Sequence, residues 1–281
     1  MTKAYADLHL HTVASDGTQT IDTLISRAKA CALDCIAVTD HDIISPDLSS
    51  RVTSLRGLEV ITGVEVKALF GDVAGELLGY FADPLHPGLK LLLEPLSASR
   101  DKRMMNMVQL CREHLDIDIT YDEVLAESGG GNVGRPHLAR VLIEKGAVET
   151  FQEAFATLLS KGCPCYDAIE KPAFRDAVRI LKEAGCAVSV AHPCLMKVSD
   201  WDAFLDELKD AGVDGMESVY PYDPLSRNLS IEPWLLAQKA EERGFLVTGG
   251  SDDHGPGGKE SIGIVRLPYS HVEKLMRVAG L

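Results

Sequence analysis

The sequence predicts an α/β fold, a distorted seven-stranded β/α barrel carrying a mainly helical insertion. Three observations lead there. Apolar, strand-like runs alternate with segments of helical period in both the first and the last third of the chain. From about residue 87 to 171, helical patterns follow one another with no convincing strand between them. Clusters of His, Asp and Glu stand at the C-terminal ends of the strand-like runs, and β-α units bring those ends together at one mouth. The expected division is a barrel of residues 1–86 and 172–281, with residues 87–171 inserted.

Taken in order, Tyr5–His11 alternates apolar and polar residues, the period of a strand. Ile21, Leu24, Ile25 and Ala28 recur at helical spacing between Thr20, a plausible N-cap, and Ala32. Cys35–Thr39 is a continuous apolar run suited to a buried parallel strand. Strands follow at Glu59–Val66 and Glu76–Phe81, the latter broken by Asp83-Pro84. The insertion reads as helices at Leu89–Leu96, Ala98–Leu115, Tyr121–Glu127, His137–Glu144 and Thr150–Ser160, with a flexible loop at Gly129–Asn132. Alternation resumes with a helix over Pro172–Ala184, which has Pro near its start and Gly185 just after its end. Strands at Ala187–Ala191, Gly215–Tyr220 and Phe245–Thr248 then alternate with helices at Ser199–Ala211 and Ile231–Arg243. A short helix over Ser270–Ala279 ends the chain.

Composition narrows the function classes. The 281 residues are 46% hydrophobic with a mean hydropathy of +0.02, enough for a sizeable core. No apolar run approaches the ~20 residues that span a bilayer, and no basic-then-apolar signal precedes the first strand, so a cytoplasmic location is expected. Asp plus Glu number 42 against 28 Lys plus Arg; the net charge of −14 disfavours broad binding to long nucleic acid. A small phosphorylated partner remains compatible, because a few placed arginines and bound cations make a local positive pocket. Seven cysteines, an odd number, read as reduced thiols. Cys163-Pro164-Cys165 lacks a partner pair at zinc-ribbon spacing. Sequence leaves the oligomeric state open.

The chemistry begins at Asp7-Leu8-His9-Leu10-His11. On a strand, His9 and His11 share one face and can hold one divalent cation. Asp16, His41, Glu65, His192, Asp252 and His254 stand in comparable strand-end positions, making eight candidate ligands. Imidazoles and carboxylates without thiolates suit Mn²⁺, Fe²⁺ or Zn²⁺. Eight ligands exceed one ion's need, so two or three ions are expected, an arrangement that clamps the attacking and leaving oxygens of a phosphoryl transfer. Asp7 and Asp40 suit the orienting of a ligand histidine, and Asp42 and Asp253 suit turns.

The ordered motifs Asp-Leu-His-x-His, Ser15-Asp16-Gly17, Thr39-Asp40-His41, Gly63-Val64-Glu65, Ala191-His192-Pro193 and Ser251-Asp252-Asp253-His254 resemble the PHP (polymerase and histidinol phosphatase) superfamily. Arg100-x-x-Arg103, Gly134–Arg140 and the Phe155–Tyr166 segment resemble its small metal-dependent phosphoesterases, including 3′,5′-nucleotide bisphosphate phosphatases. The resemblance spans essentially the whole chain. It implies a first metal held by His9, His11, Glu65 and Asp252, a second by Glu65 and His192, and a third by Asp16, His41 and His254. The family often has a histidine where Glu76 stands, before Leu77-Leu78-Gly79-Tyr80; a carboxylate can ligate in its place. Glu65 and Asp252 then act catalytically through the ions, with His254 as a candidate proton donor. Arg100, Arg103, Arg135 and His137 are the implied substrate anchors. The expected activity is hydrolysis of a small phosphorylated molecule, first a nucleotide 3′,5′-bisphosphate. Rival readings are a diesterase for cyclic ribose phosphates or short 5′-phosphorylated oligonucleotides, a metal-dependent amidohydrolase, and a non-enzymatic binding module.

Overall fold

The computed structural model describes residues 4–222, 229–256 and 261–281. Its strands are β1 (Tyr5–Leu10), β2 (Cys35–Val38), β3 (Val52–Leu55), β4 (Leu58–Phe70), β5 (Val73–Tyr80), β6 (Ala187–Val190), β7 (Gly215–Val219), β8 (Leu246–Gly249) and β9 (Leu267–Pro268). Seven of them, in the order β8-β7-β6-β5-β4-β2-β1, make the barrel wall. The ends of the wall meet where Leu10 bridges Asp253 and the Asp252 N–H donates to the His9 carbonyl at 2.9 Å. β3 pairs with β4, and β9 with β1, outside this ring. Those two strands escape the sequence pattern because each is short and takes its ladder from a neighbour. β3 is only partly buried.

The barrel is distorted at one strand. β5 runs antiparallel to both β4 and β6, whereas the other wall strands pair in parallel. A two-residue turn, Gly71-Asp72, makes the reversal, with Gly71 at φ 58°, where a side chain is disfavoured. The start of β5 therefore lies where the other strands end. That reversal brings Glu76, near the beginning of its strand, to the same mouth as His11 and His192.

On the outside of the wall α1 (Ile21–Ala30) packs through Ile21, Leu24, Ile25 and Ala28, the spacing read from the sequence. The Thr20 side chain caps it by accepting from the Thr23 N–H. The insertion opens with α2 (Pro87–Leu115), followed by α3 (Tyr121–Glu127), α4 (Arg135–Glu144) and α5 (Phe151–Ala154), which continues into one π turn over Phe155–Leu159. Around the second half of the barrel lie α6 (Phe174–Glu183), α7 (Trp201–Asp210) and α8 (Pro233–Glu242), and α9 (Tyr269–Val278) closes the chain.

The two helices expected over Leu89–Leu96 and Ala98–Leu115 are one 29-residue helix, α2, with Pro95 inside it. An internal proline removes one backbone hydrogen bond and crowds the turn before it. Tertiary packing on both sides of Pro95 overrides that cost. Leu89, Leu92, Leu93 and Leu96 join the barrel core beside Val178 and Leu181. Met104, Met107, Val108 and Cys111 join a separate core with Leu138, Leu142, Leu159 and Cys165. Helix α2 thus belongs to both cores and carries its arginines across the join. All seven cysteines are free thiols. No helix among the described residues is long and apolar enough to cross a membrane.

Candidate metal centre and the adjoining cleft

At the C-terminal end of β1, alternation turns His9 and His11 into the barrel mouth, both fully buried. Gly250 makes this possible, since a Cβ there would lie 2.3 Å from the His9 Cβ. Side chains converge in three neighbourhoods, spanned by four overlapping sets whose ligand atoms lie within 4.8 Å of one another: His9, His11 and Asp252; His9, Glu65 and His192; His41, Glu65 and Glu76; and His11, Asp16, His41 and His254. In the first, His11 Nε2 lies 3.1 Å from Asp252 Oδ1, and His9 Nε2 lies 3.5 Å from the same oxygen. Glu65 Oε2 completes it, 3.4 Å from His9 Nε2 and 3.5 Å from His11 Nε2. In the second, His192 Nε2 is 3.1 Å from Glu65 Oε1 and 3.3 Å from Glu76 Oε2. In the third, Asp16 faces His254 at 3.3 Å and His41 at 3.8 Å. Glu65 lies at the centre, because His41 Nδ1 also approaches its Oε2 at 2.7 Å.

Electrostatics tie these groups together. Burial opposes charge on Glu65, but His41 and His9 outweigh it and hold the carboxyl well below its ordinary range. Burial likewise opposes ionisation of Asp16 and Asp252, and the neighbouring histidines reverse the balance for both. His254 is raised to about 10, with Asp16 overcoming the penalty of burial. His11, fully buried, is pushed down to about 4 by burial and by His254. Ionised carboxylates packed this densely call for cations.

The buried donor atoms fit divalent ions. His9 Nε2, His41 Nδ1, Asp16 Oδ1 and Glu65 Oε2 are all buried without a hydrogen-bond partner. The 2.7 Å approach of His41 Nδ1 to Glu65 Oε2 lacks hydrogen-bond geometry, so neither atom satisfies the other. Buried polar atoms are rarely left this way unless an ion or water satisfies them. The ring tautomers agree. His254 Nδ1 lies 2.8 Å from the Asp252 carbonyl, which only accepts, so Nδ1 donates and Nε2, turned to Asp16, is the nitrogen an ion would take in exchange for a proton. His9 Nδ1 meets Glu217 Oε1 at 3.0 Å, which leaves Nε2 turned to Glu65 and Asp252.

Glu217 is a residue the sequence reading missed. It is fully buried on β7, and its other oxygen accepts from the His192 N–H at 2.7 Å. One carboxylate therefore orients His9 and holds His192 in a left-handed turn at φ 28°. The available signal was an acidic residue inside the apolar run Gly215–Val219. Tyr220 was missed as well; its hydroxyl donates to Asp252 Oδ2 at 2.9 Å.

The four flanking aspartates do work beyond what the sequence suggested. Asp40 orients no imidazole; it accepts from the Thr12 N–H, the Thr12 hydroxyl and the Ser15 hydroxyl, clamping the loop that carries Asp16. Asp7, raised to about 6 by burial, accepts from the Ser251 and Gly263 N–H groups. Asp253 is no simple turn residue: Arg27 and Gln19 donate to its buried carboxylate. Asp42 adopts a left-handed turn at φ 53° and also receives Arg100 at 2.6–2.7 Å.

That last pair changes the reading of the arginines. Arg100 braces α2 against the barrel mouth with its charge neutralised by Asp42. Arg103 and Arg135 carry no ion pair among the described residues. Both line a cleft of about 110 Å³ with Asp16, His41, Lys67 and Phe155. Arg103 is 6% exposed, its Nε has no partner, and burial together with Arg100 and Arg135 lowers it to about 10. Arg135 donates to the Leu159 carbonyl and stacks its guanidinium 5.3 Å from the Phe155 ring centre. Among the described residues, two guanidinium groups without an ion-pair partner thus line a cleft beside a carboxylate-rich centre.

His137 lies on the other side of the Asp16 loop, in a second cleft of about 200 Å³ with Val13, Thr18, Ser128 and Arg140. Its Nδ1 accepts from the Gly134 N–H at 2.9 Å and so caps α4. Burial pushes its pKa down to about 4. A folded-state value below the unfolded 6.5 means that the unfolded chain binds the extra proton first. Stability from this group is therefore complete above about pH 6.5 and is lost as pH falls toward 4. Urea denaturation at steps from pH 7 to pH 4.5 should show a steeper acid loss in wild type than in His137→Asn; parallel curves would refute it. The Gly129–Asn132 loop beside this cleft is pinned, not free. A Cβ on Gly131 would lie 2.3 Å from the Val13 carbonyl, and Asn132 bonds to Ala14, His41 and Ser97.

Comparison with known proteins agrees with the geometry. The chain is 30% identical over 266 residues to a 5′-3′ exoribonuclease of Haemophilus influenzae, covering 94% of each chain. It is 28% identical over 258 residues to a 3′,5′-nucleoside bisphosphate phosphatase of Chromobacterium violaceum, covering 90% of this chain and 88% of that one. A crystal structure from Bifidobacterium adolescentis, assigned as a metal-dependent phosphoesterase, superposes with a TM-score of 0.84 at 30% identity, over 97% of this chain and 96% of that one. Fold, site and relatives together define a metal-dependent hydrolase of phosphoric esters. The chain belongs to the PHP domain family, whose model matches residues 7–161.

Proposed function

We propose that the enzyme removes a phosphate from a small ribose bisphosphate, a nucleoside 3′,5′-bisphosphate being the first candidate. The observation that carries this reading is the pair of unneutralised cations, Arg103 and Arg135, beside the carboxylate-histidine groups. The phosphate to be cleaved meets the metal centre, and the second phosphate meets the arginines, whose planar donors match its oxygens. His9, His11, Glu65 and Asp252 would hold one ion, Glu65, Glu76 and His192 a second, and Asp16, His41 and His254 a third. Mn²⁺ suits this donor set first, with Fe²⁺ and Zn²⁺ as alternatives. Bound there, divalent ions make water acidic and neutralise phosphoryl charge.

The chain's own groups set the geometry. Glu65 lies among four imidazoles, Glu217 fixes the edge that His9 presents, and Tyr220 fixes Asp252. His254 is assigned to ligation through Nε2, which faces Asp16 while the Nδ1 hydrogen is taken up by the Asp252 carbonyl. Arg100 keeps α2 and its neighbour Arg103 seated over the mouth through Asp42.

A second reading is the trimming of short 5′-phosphorylated oligonucleotides. It is favoured by the Haemophilus relative and by the second cleft at His137 and Arg140, which has room for part of a further nucleotide. The test is phosphate and nucleotide release, with added Mn²⁺, from nucleoside 3′,5′-bisphosphates, 2′- and 3′-monophosphates, cyclic ribose phosphates and a short 5′-phosphorylated RNA. A preference of at least tenfold in kcat/KM for a bisphosphate over the matching monophosphate is expected. Equal rates on the two would remove the second-phosphate reading, and faster turnover of the RNA would favour the second one.

A further inference from the structure

Lys67 stands two residues after Glu65 on β4, so alternation turns both side chains into the mouth. On β5, Glu76 is its direct cross-strand partner. The Lys67 ammonium is in close contact with Glu76 Oε1, while Oε2 of the same carboxylate faces His192 Nε2 at 3.3 Å. Glu76 is also one of three ligand atoms that His41, Glu65 and Glu76 bring together. The ammonium therefore sits where a divalent ion held by Glu76 would feel it directly. Its backbone is pinned, for the Lys67 N–H donates to Asp42 Oδ1 at 3.0 Å, and Asp42 is locked to Arg100. Side-chain exposures of 20% for Lys67 and 17% for Glu76 leave little water to screen the pair.

We propose that Lys67 is a resident counter-cation of the centre: it occupies one oxygen of Glu76, competes with the ion at the Glu65–Glu76–His192 group, and makes that ion the weakest bound. This rests on the metal reading above. The physical reason is like-charge repulsion at short range in a poorly solvated mouth, together with the withdrawal of one carboxylate oxygen from ligation. The other two groups, built on His9, His11 and Asp252 and on Asp16, His41 and His254, have no ammonium in ion-pair contact with their carboxylates among the described residues. Lys67 is thus a positioning residue, acting on the centre through Glu76.

The test is Mn²⁺ binding by the full chain, read by calorimetry and by the electron-spin-resonance signal of free Mn²⁺. Wild type, Lys67→Met and Lys67→Arg are compared, with thermal unfolding confirming that each folds. Lys67→Met should tighten the weakest Mn²⁺ at least tenfold and leave the tighter ones unchanged, whereas Lys67→Arg, which keeps the charge, should stay within about threefold of wild type. If Lys67→Met leaves the weakest ion unchanged or weakens it, or if Lys67→Arg tightens it equally, the counter-cation role is overturned while the metal reading stands. Failure of all three forms to take up any Mn²⁺ would overturn the metal reading and this inference with it.

Discussion

Replacing Glu65 by glutamine is expected to abolish hydrolysis, with kcat lower by about 10³-fold or more, the scale of losing a central electrostatic group. Metal content should fall with it. The carboxylate is fully buried, and its two oxygens face imidazole nitrogens of His9, His11, His41 and His192 at 2.7–3.5 Å. Glutamine has the same shape but no charge, and its amide NH₂ would face ring nitrogens where an oxygen lone pair is needed. The backbone at this point is independent of the side chain: the Glu65 N–H donates to the Asp40 carbonyl, and the Glu65 carbonyl accepts from Asp42. The variant should therefore fold, and a near-native unfolding temperature is the control. Metal analysis after dialysis, beside steady-state rates, gives the answer. Rates within tenfold of wild type at unchanged metal content would show that Glu65 is not the hub of the centre.

Arg135→Ala should raise KM for a bisphosphate by about 10–100-fold, the loss of one charge-assisted phosphate contact of ~1.5–3 kcal/mol. The matching monophosphate, which has nothing for Arg135 to hold, should be affected little. Arg103→Met should show the same substrate dependence, with an added signature. Among the described residues its guanidinium is buried without a counter-ion and with Nε unpartnered, so the folded protein bears a desolvation cost that a methionine lacks. The unfolding temperature of Arg103→Met should stay level or rise while KM worsens, as expected of a cation kept for binding. If both substrates lost equally, the arginines would be acting on the metal centre or the fold, not on a second phosphate.

Much of this was legible in residue order. Strand β1, with His9 and His11 on one face, follows from alternation alone, and α1 follows from Ile21, Leu24, Ile25 and Ala28 with Thr20 as its cap. The strand ends were marked by Asp16, His41, His192, Asp252 and His254 because titratable residues at turns interrupt otherwise apolar runs. The sequence reading divided helix α2 between Leu96 and Ala98, since local propensity carries no term for two cores gripping one helix. Glu217 went unnoticed because a lone carboxylate within a strand has no spacing signature. Its role exists only once β7 lies beside β6 and β1 closes the ring.

The sequence by itself determined the class of fold, the set of candidate ligands and the presence of arginines in the insertion, since each of these is written in periodicity or residue type. The tertiary structure alone decided which charges are spoken for. Asp42 neutralises Arg100 and leaves Arg103 and Arg135 open, and Lys67 meets Glu76 across a ladder whose register no local pattern specifies. Pairing depends on distances of a few ångströms between segments far apart in the chain, and only the closed barrel with its docked insertion sets them.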